Sequence, residues 1–168
     1  IMTAISNVGL QKLECIDLQG RSPRPWTSGV KADEQAFIAM CKLVHSSGYV
    51  DPMFEKLTTK EHKAGLDTLS VGSLLLTGAG DTKASKDTKQ AVMSSVFAVK
   101  SAVDQIMIGE HPNVFVVQRP PGHHLGVGGR TSGAASQGFC FMNGAAIAAE
   151  YYLQKHPGAR VTIIDCEL

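Results

Sequence analysis

The sequence predicts an α/β layer fold, on three observations. Two helical patterns, at about 85–108 and at 143–155, alternate with two short runs rich in β-branched residues, Val114-Phe115-Val116-Val117 and Val161-Thr162-Ile163-Ile164-Asp165. Both runs are nearly continuous in apolar character, as strands covered on both faces of a parallel sheet are. The order helix, strand, loop, helix, strand is the one a parallel crossover connection needs.

Along the chain, Ile1 to Val8 reads as a short helix stopped by Gly9. Arg21-Ser22-Pro23-Arg24-Pro25-Trp26 is a Pro-rich connector within the domain and cannot continue a helix. Asp33 and Glu34 open a pattern with Phe37, Ile38, Met40, Cys41 and Val44 on one helical face, ending near His45-Ser46-Ser47-Gly48. The early acids suit the positive end of the helix dipole. Tyr49 to Gly65 carries Lys56, Lys60 and Lys63 and reads as a solvated, charged stretch. Ser70 to Gly80 is rich in glycine and reads as loop with a short apolar piece.

The long helix is expected from a Ser85 N-cap to Ile108, with Gly109 as its stop. Ala91, Val92, Ser95, Val96, Val99, Ala102, Val103 and Ile106 keep its apolar spacing. His111-Pro112-Asn113 and Arg119-Pro120-Pro121 bound the first strand. Asn143 to Lys155 is a small-residue helix, closed by His156-Pro157-Gly158.

With 168 residues and 43% hydrophobic content, the chain suits one packed domain and excludes wholesale disorder. A formal net charge of +1 argues against a dedicated nucleic-acid surface. No apolar run reaches the roughly 18 residues that a spanning helix needs, so no membrane role is expected. The N-terminal residues show no secretory signal. Cys15, Cys41, Cys140 and Cys166 form no C-x-x-C pair and read as reduced, mostly buried thiols.

The chemistry gathers in one loop. From Pro112 to Ala149 the only charged side chains are Arg119 and Arg130, and Gly122 to Gly144 holds seven of the 17 glycines. A polar-poor, glycine-dense loop just past a buried strand lies at the sheet edge where α/β proteins place ligands. In it, prolines stiffen the approach to His123 and His124, two adjacent imidazoles able to bind metal or move protons. Neighbours on an extended segment point to opposite sides, so chelation of one metal by both requires an irregular turn. That favours proton transfer. Asp165 and Glu167 end the second strand with their carboxylates on one face, and can orient a histidine or hold a cation. Asp81, in Gly78-Ala79-Gly80-Asp81-Thr82, is either a helix-start acid or a ligand-facing residue. Gly126-Val127-Gly128-Gly129 is only loosely a dinucleotide loop, because no strand leads directly into it and no helix directly follows.

Five blocks in order resemble the zinc-dependent histone deacetylase family, in its class II-like branch. Arg119-Pro120-Pro121-Gly122-His123-His124 is similar to the family's RPPGHH. Gly138-Phe139-Cys140-Phe141-Met142-Asn143 with Ala145-Ala146-Ile147-Ala148-Ala149 resembles its GFC-x-x-N-N-x-A-I-A-A. Val44-His45-Ser46-Ser47-Gly48-Tyr49-Val50 resembles VHSxxYV, Gly80-Asp81-Thr82 matches GDT, and Ile163 to Leu168 resembles the start of V-D-x-D-x-H-H-G-N-G-T.

The resemblance implies a three-layer arginase/deacetylase-like α/β fold with a mainly parallel sheet. Residues 1–168 would then be a partial catalytic domain, truncated at both ends. It implies hydrolysis of the acetyl-lysine amide of histone tails or other proteins by a zinc-activated water. His123 and His124 resemble the tandem histidines that handle protons, and Asp165 the carboxylate that orients the first of them and contributes to a potassium site. Gly138 and Phe139 resemble walls of the lysine tunnel, and Asp81 resembles the rim acid that holds the substrate backbone. Glu167 stands where the family has a zinc-ligating Asp, and its extra methylene changes the reach of the ligand. The remaining Zn²⁺ ligands are expected beyond Leu168, so the chain by itself is expected neither to bind zinc tightly nor to deacetylate. Corepressor complex subunits are the partners the resemblance implies, with location in the nucleus, the cytoplasm or both. Two other readings stay open: a catalytically impaired corepressor-binding module, which Glu167 motivates, and a deacetylase of small acetylated amines or polyamines. An arginase-type hydrolase would need Asp/His-rich dinuclear motifs, which do not occur here.

Overall fold

A computed structural model describes residues 30–58, 69–70, 82–84, 87–109 and 111–167. The helix expected at 1–8, the Pro-rich connector, Cys15, Asp81 and Ser85 lie outside the described residues. Among the described residues four helices carry the fold: α1 (Val30–Cys41), α2 (Ser47–Thr58), α3 (Thr88–Met107) and α4 (Gly144–Lys155). Two antiparallel ladders of two residues per strand accompany them. In the first, β1 (Leu69–Ser70) pairs with β2 (Lys83–Ala84). In the second, β3 (Leu125–Gly126) pairs with β4 (Gly129–Arg130) across a Val127-Gly128 turn.

The helices follow their apolar stripes. α1 buries Phe37, Met40 and Cys41, with Asp33 in its first turn. α3 buries Val92, Met93, Val96, Val99, Ala102 and Val103 on one face, and Gly109 stops it at φ 77°. It begins at Thr88. α4 has the expected limits. The Asn143 side chain caps it by accepting from the Ala146 N–H at 3.1 Å, and Lys155 sits in its last turn, where the dipole favours a cation.

α3 is the central element, packed along α4 and against α2. Tyr151 on α4 donates to Asp104 on α3 at 2.8 Å, and Lys100 pairs with the same carboxylate at 2.6 Å. Lys89 on α3 pairs with Glu34 on α1, and Lys42 after α1 with Asp51 on α2. These exposed or part-exposed pairs fix register more than stability. The buried apolar side chains between the helices contribute more, about 1.5–3 kcal/mol for each large one.

Two expectations are corrected. The stretch after Tyr49 is not merely a charged, solvated segment: its first part is α2, with Tyr49, Val50, Met53, Phe54 and Leu57 buried. The exposed Glu55 and Lys56 mask that stripe in a reading by charge. The runs 114–117 and 161–165, expected as strands, form no ladder among the described residues. Val114 and Val116 are half-buried while Phe115 and Val117 are exposed, the period-two alternation of a strand without hydrogen-bonded neighbours. Val161, Ile163 and Ile164 are exposed as well. A strand is defined by its partners' hydrogen bonds, and composition alone does not supply them. No helix among the described residues is long and apolar enough to cross a membrane.

Candidate active site

The site is built on the turn that follows Pro121. Gly122 is the pivot: a Cβ there would lie 1.7 Å from the Met142 carbonyl oxygen, so only glycine allows the turn to pack against the 137–142 segment. The Phe141 N–H reaches the Pro121 carbonyl at 3.4 Å, and the Leu125 N–H closes the turn onto the Gly122 carbonyl at 3.2 Å. Thr131 Oγ1 donates to the His124 carbonyl at 3.0 Å.

This compact turn changes the expected geometry of the histidine pair. The two rings do not diverge, as they would on an extended segment. They meet edge to face with centroids 4.2 Å apart. Both Nε2 atoms converge on one carboxylate oxygen of Glu167, at 2.7 Å from His123 and 3.1 Å from His124. His123 Nδ1 faces Asp165 Oδ2 at 3.5 Å. The irregular turn that chelation requires is therefore present. Asp165 and Glu167 share a face, as their spacing predicts, but they are not buried. Each carboxylate is 53% exposed, on a segment whose Glu167 N–H bonds back to Asp165 Oδ1 at 3.0 Å. Cys166 between them is exposed, whereas Cys41 and Cys140 are buried; none of the three is in a disulfide. Burial raises the Cys41 thiol well above its ordinary pKa, which makes it inert.

Gly138 lines the other side of the cleft, and Phe139 follows it in the chain. The His124 ring lies across Gly138, where a Cβ would stand 2.1 Å from His124 Cδ2, and Gly138 has φ 54°. Phe139 is the one non-glycine residue with positive φ among those described, at 64°, and its side chain is 52% exposed. Its N–H donates to Thr82 Oγ1 at 3.0 Å. The buried Thr82 thus holds a strained aromatic residue facing solvent. His123, His124, Ala134, Ser136 and Gly138 line an open cleft of about 540 Å³. Asp81, expected at its rim, lies outside the described residues.

Residue-type reasoning does not reach the parts that hold this wall together. His45 is buried with both ring nitrogens engaged. Nε2 accepts from the Asn143 N–H at 3.0 Å, so it carries no proton, and Nδ1–H donates to the Gly126 carbonyl at 2.8 Å. Burial lowers its pKa, opposed by backbone hydrogen bonds at Gly126 and Val127. Tyr49 donates from its buried hydroxyl to the Phe141 carbonyl at 2.8 Å, and its ring lies against Gly129, where a Cβ would be 2.3 Å away. Asn143 Nδ2 donates to the Leu125 carbonyl at 2.9 Å. The signal for this clamp is the Val44–Val50 block that resembles VHSxxYV, whose His45 and Tyr49 rings lie with centroids 5.4 Å apart.

The model of the histone deacetylase domain family matches residues 11–168. Type-2 histone deacetylase 1 of Dictyostelium discoideum is 43% identical over 89 residues, 53% of this chain and 6% of that protein. Acetylpolyamine amidohydrolase of Mycoplana ramosa is 37% identical over 90 residues, 53% of this chain and 24% of that protein. Among solved structures, the HDA15 HD domain superposes with a TM-score of 0.50 at 24% identity, over 70% of this chain and 28% of that one; this likeness shows the shared fold. The chain thus spans well under two thirds of the length of these proteins.

Proposed function

The chain belongs to the histone deacetylase domain family, and from that premise we propose that it forms the tandem-histidine side of a deacetylase active site. The reaction is hydrolysis of the acetyl-lysine amide in histones or other proteins, and residues 1–168 are part of the catalytic domain that performs it. One observation carries the reading: two imidazoles on one glycine-pivoted turn meet Glu167 and Asp165 beside an exposed aromatic wall.

In this reading His123 and His124 hold and move protons. Amide hydrolysis removes one proton from the attacking water and delivers one to the departing lysine amine, and an imidazole does both near neutral pH. Asp165, facing His123 Nδ1, sets the tautomer that leaves Nε2 directed at the cleft. Phe139 lines the path of the lysine's apolar stem. Imidazole and carboxylate donors suit zinc, which when bound polarises the acetyl carbonyl and activates water. Glu167, at the position of the family's zinc-ligating Asp, is the residue of this chain that would hold it.

The test uses the full-length natural protein with a zinc supplement and an acetyl-lysine peptide. His123→Asn and His124→Asn are expected to lower kcat/KM by about 10²–10⁴-fold with little change in KM. Turnover unaffected by either change would end the proposal. Similarity to acetylpolyamine amidohydrolase favours a second reading, action on small acetylated amines. It predicts faster turnover of an acetylated diamine than of the peptide in the same assay. A protein that turns over neither substrate, yet retains corepressor subunits, would be the binding module that Glu167 motivates.

A further inference from the structure

We infer that Thr82 is a positioning residue for the acetyl-lysine stem: its buried hydroxyl selects, through the Phe139 N–H, the turn conformation that presents the Phe139 ring. This role rests on the deacetylase reading, in which Phe139 lines the path of that stem. Thr82 acts on the backbone of the turn rather than on the substrate.

Gln137 to Cys140 is a β-turn, closed by the Cys140 N–H on the Gln137 carbonyl at 3.0 Å. Its central residues have φ 54° at Gly138 and 64° at Phe139, the type I′ arrangement. Local chemistry favours a different turn. Glycine first and a residue with a side chain second suits type II′, in which Phe139 would have negative φ. The two turns differ by rotation of the peptide between Gly138 and Phe139. In the observed turn the N–H of that peptide donates to Thr82 Oγ1 at 3.0 Å, and its carbonyl faces Cys140 Sγ at 3.5 Å. Rotation would swing the N–H away from Thr82 and take this donor from a hydroxyl on a fully buried side chain. Two other partners of the turn are local: Ser136 Oγ accepts from the Gly138 N–H at 2.9 Å, and Gln137 Nε2 donates to the Cys140 carbonyl at 3.1 Å. Thr82 lies 57 residues away from Phe139 and directly before β2, so it holds the strained turn from a separate segment. A phenylalanine kept at positive φ and 52% exposed serves neither turn propensity nor the core. Presentation of the ring is the task left to it.

The test uses the full-length natural protein with a zinc supplement. Thr82→Val, which removes the hydroxyl, should raise KM for an acetyl-lysine peptide about fivefold and leave kcat within about twofold; Thr82→Ser should keep the wild-type KM. In a Phe139→Ala background, which should itself raise KM, Thr82→Val should add no further rise, because the ring it acts through is gone. With 3-fluorophenylalanine in place of phenylalanine, the ¹⁹F resonance identified as Phe139 by its loss in Phe139→Ala should shift or split in Thr82→Val and stay in place in Thr82→Ser. A KM unchanged by Thr82→Val, a rise that persists undiminished in the Phe139→Ala background, or an unmoved Phe139 resonance overturns the proposal. So does loss of the folded circular dichroism signal in both Thr82→Val and Thr82→Ala, which would tie the hydroxyl to the whole fold. The ¹⁹F measurement needs no turnover. A wild type that turns over no acetylated substrate, with the resonance moving as expected, ends the deacetylase reading and the substrate role with it, while the hold of Thr82 on the turn stands. Turnover with an unmoved resonance ends the role of Thr82 alone.

Discussion

The two sides of the candidate site are built in opposite ways. The imidazole side, residues 121–143, is clamped from below by buried His45 and Tyr49, whose polar atoms all meet backbone groups of that segment. The carboxylate side, residues 160–167, is exposed throughout, with one backbone-to-side-chain bond of its own, Glu167 to Asp165. The same few ångströms of space therefore join a preorganised wall and a wall placed mainly by its contacts with His123 and His124. Preorganisation is where chemical precision is stored, since groups held by packing need no reordering when a ligand arrives.

Changes on the clamped side should therefore cost most. Gly122→Ala forces a methyl group into the Met142 carbonyl, and a loss of about 3 kcal/mol is expected in urea unfolding; a loss under about 0.5 kcal/mol would show that the two segments are free to part. His45→Ala strands the Asn143 N–H and the Gly126 carbonyl and should cost about 2–3 kcal/mol. His45 also gives the clamp a pH signature. Its folded pKa lies below the unfolded value of 6.5, so folding favours the neutral ring. The stabilisation is complete above 6.5 and falls as pH drops from there toward the folded pKa. Urea midpoints of the wild type measured between about pH 7.5 and 5 should fall, and His45→Gln should flatten this slope.

Phe139→Gly tests the strained aromatic. Releasing a left-handed backbone should stabilise the chain by about 1 kcal/mol in thermal melts, since its half-exposed ring loses little burial. On the open side, Ile164→Thr should change stability by less than about 0.5 kcal/mol, because the side chain is 81% exposed. A larger loss would mean that the 160–167 segment packs against the core in solution.

What the sequence makes legible follows from where each signal resides. α1, α3 and α4 are readable because period, stop glycine and cap act within a few residues; Asn143 and Gly109 stand where local chemistry requires them. The limits of α2 are obscured because its lysine and acids sit among the buried Tyr49, Met53 and Leu57. The runs at 114–117 and 161–165 have strand composition but no partners among the described residues, and pairing is not a local property. The candidate residues themselves are readable: His123, His124, Asp165 and Glu167 meet as a group. Their convergence is not, because it depends on a turn that Gly122 permits only through its long-range fit to Met142. Gly138 resembles a tunnel wall in the sequence; its observed task is to admit the His124 ring.

The close seat of Gly122 on the Met142 backbone gears the histidine turn to the segment that carries Phe139. A guest that slides in beside Phe139 and displaces residues 140–142 by a fraction of an ångström must carry Gly122 with it, and the histidine turn rides on Gly122. Occupancy of the aromatic slot and the aim of the imidazoles are in this way one mechanical coordinate rather than two.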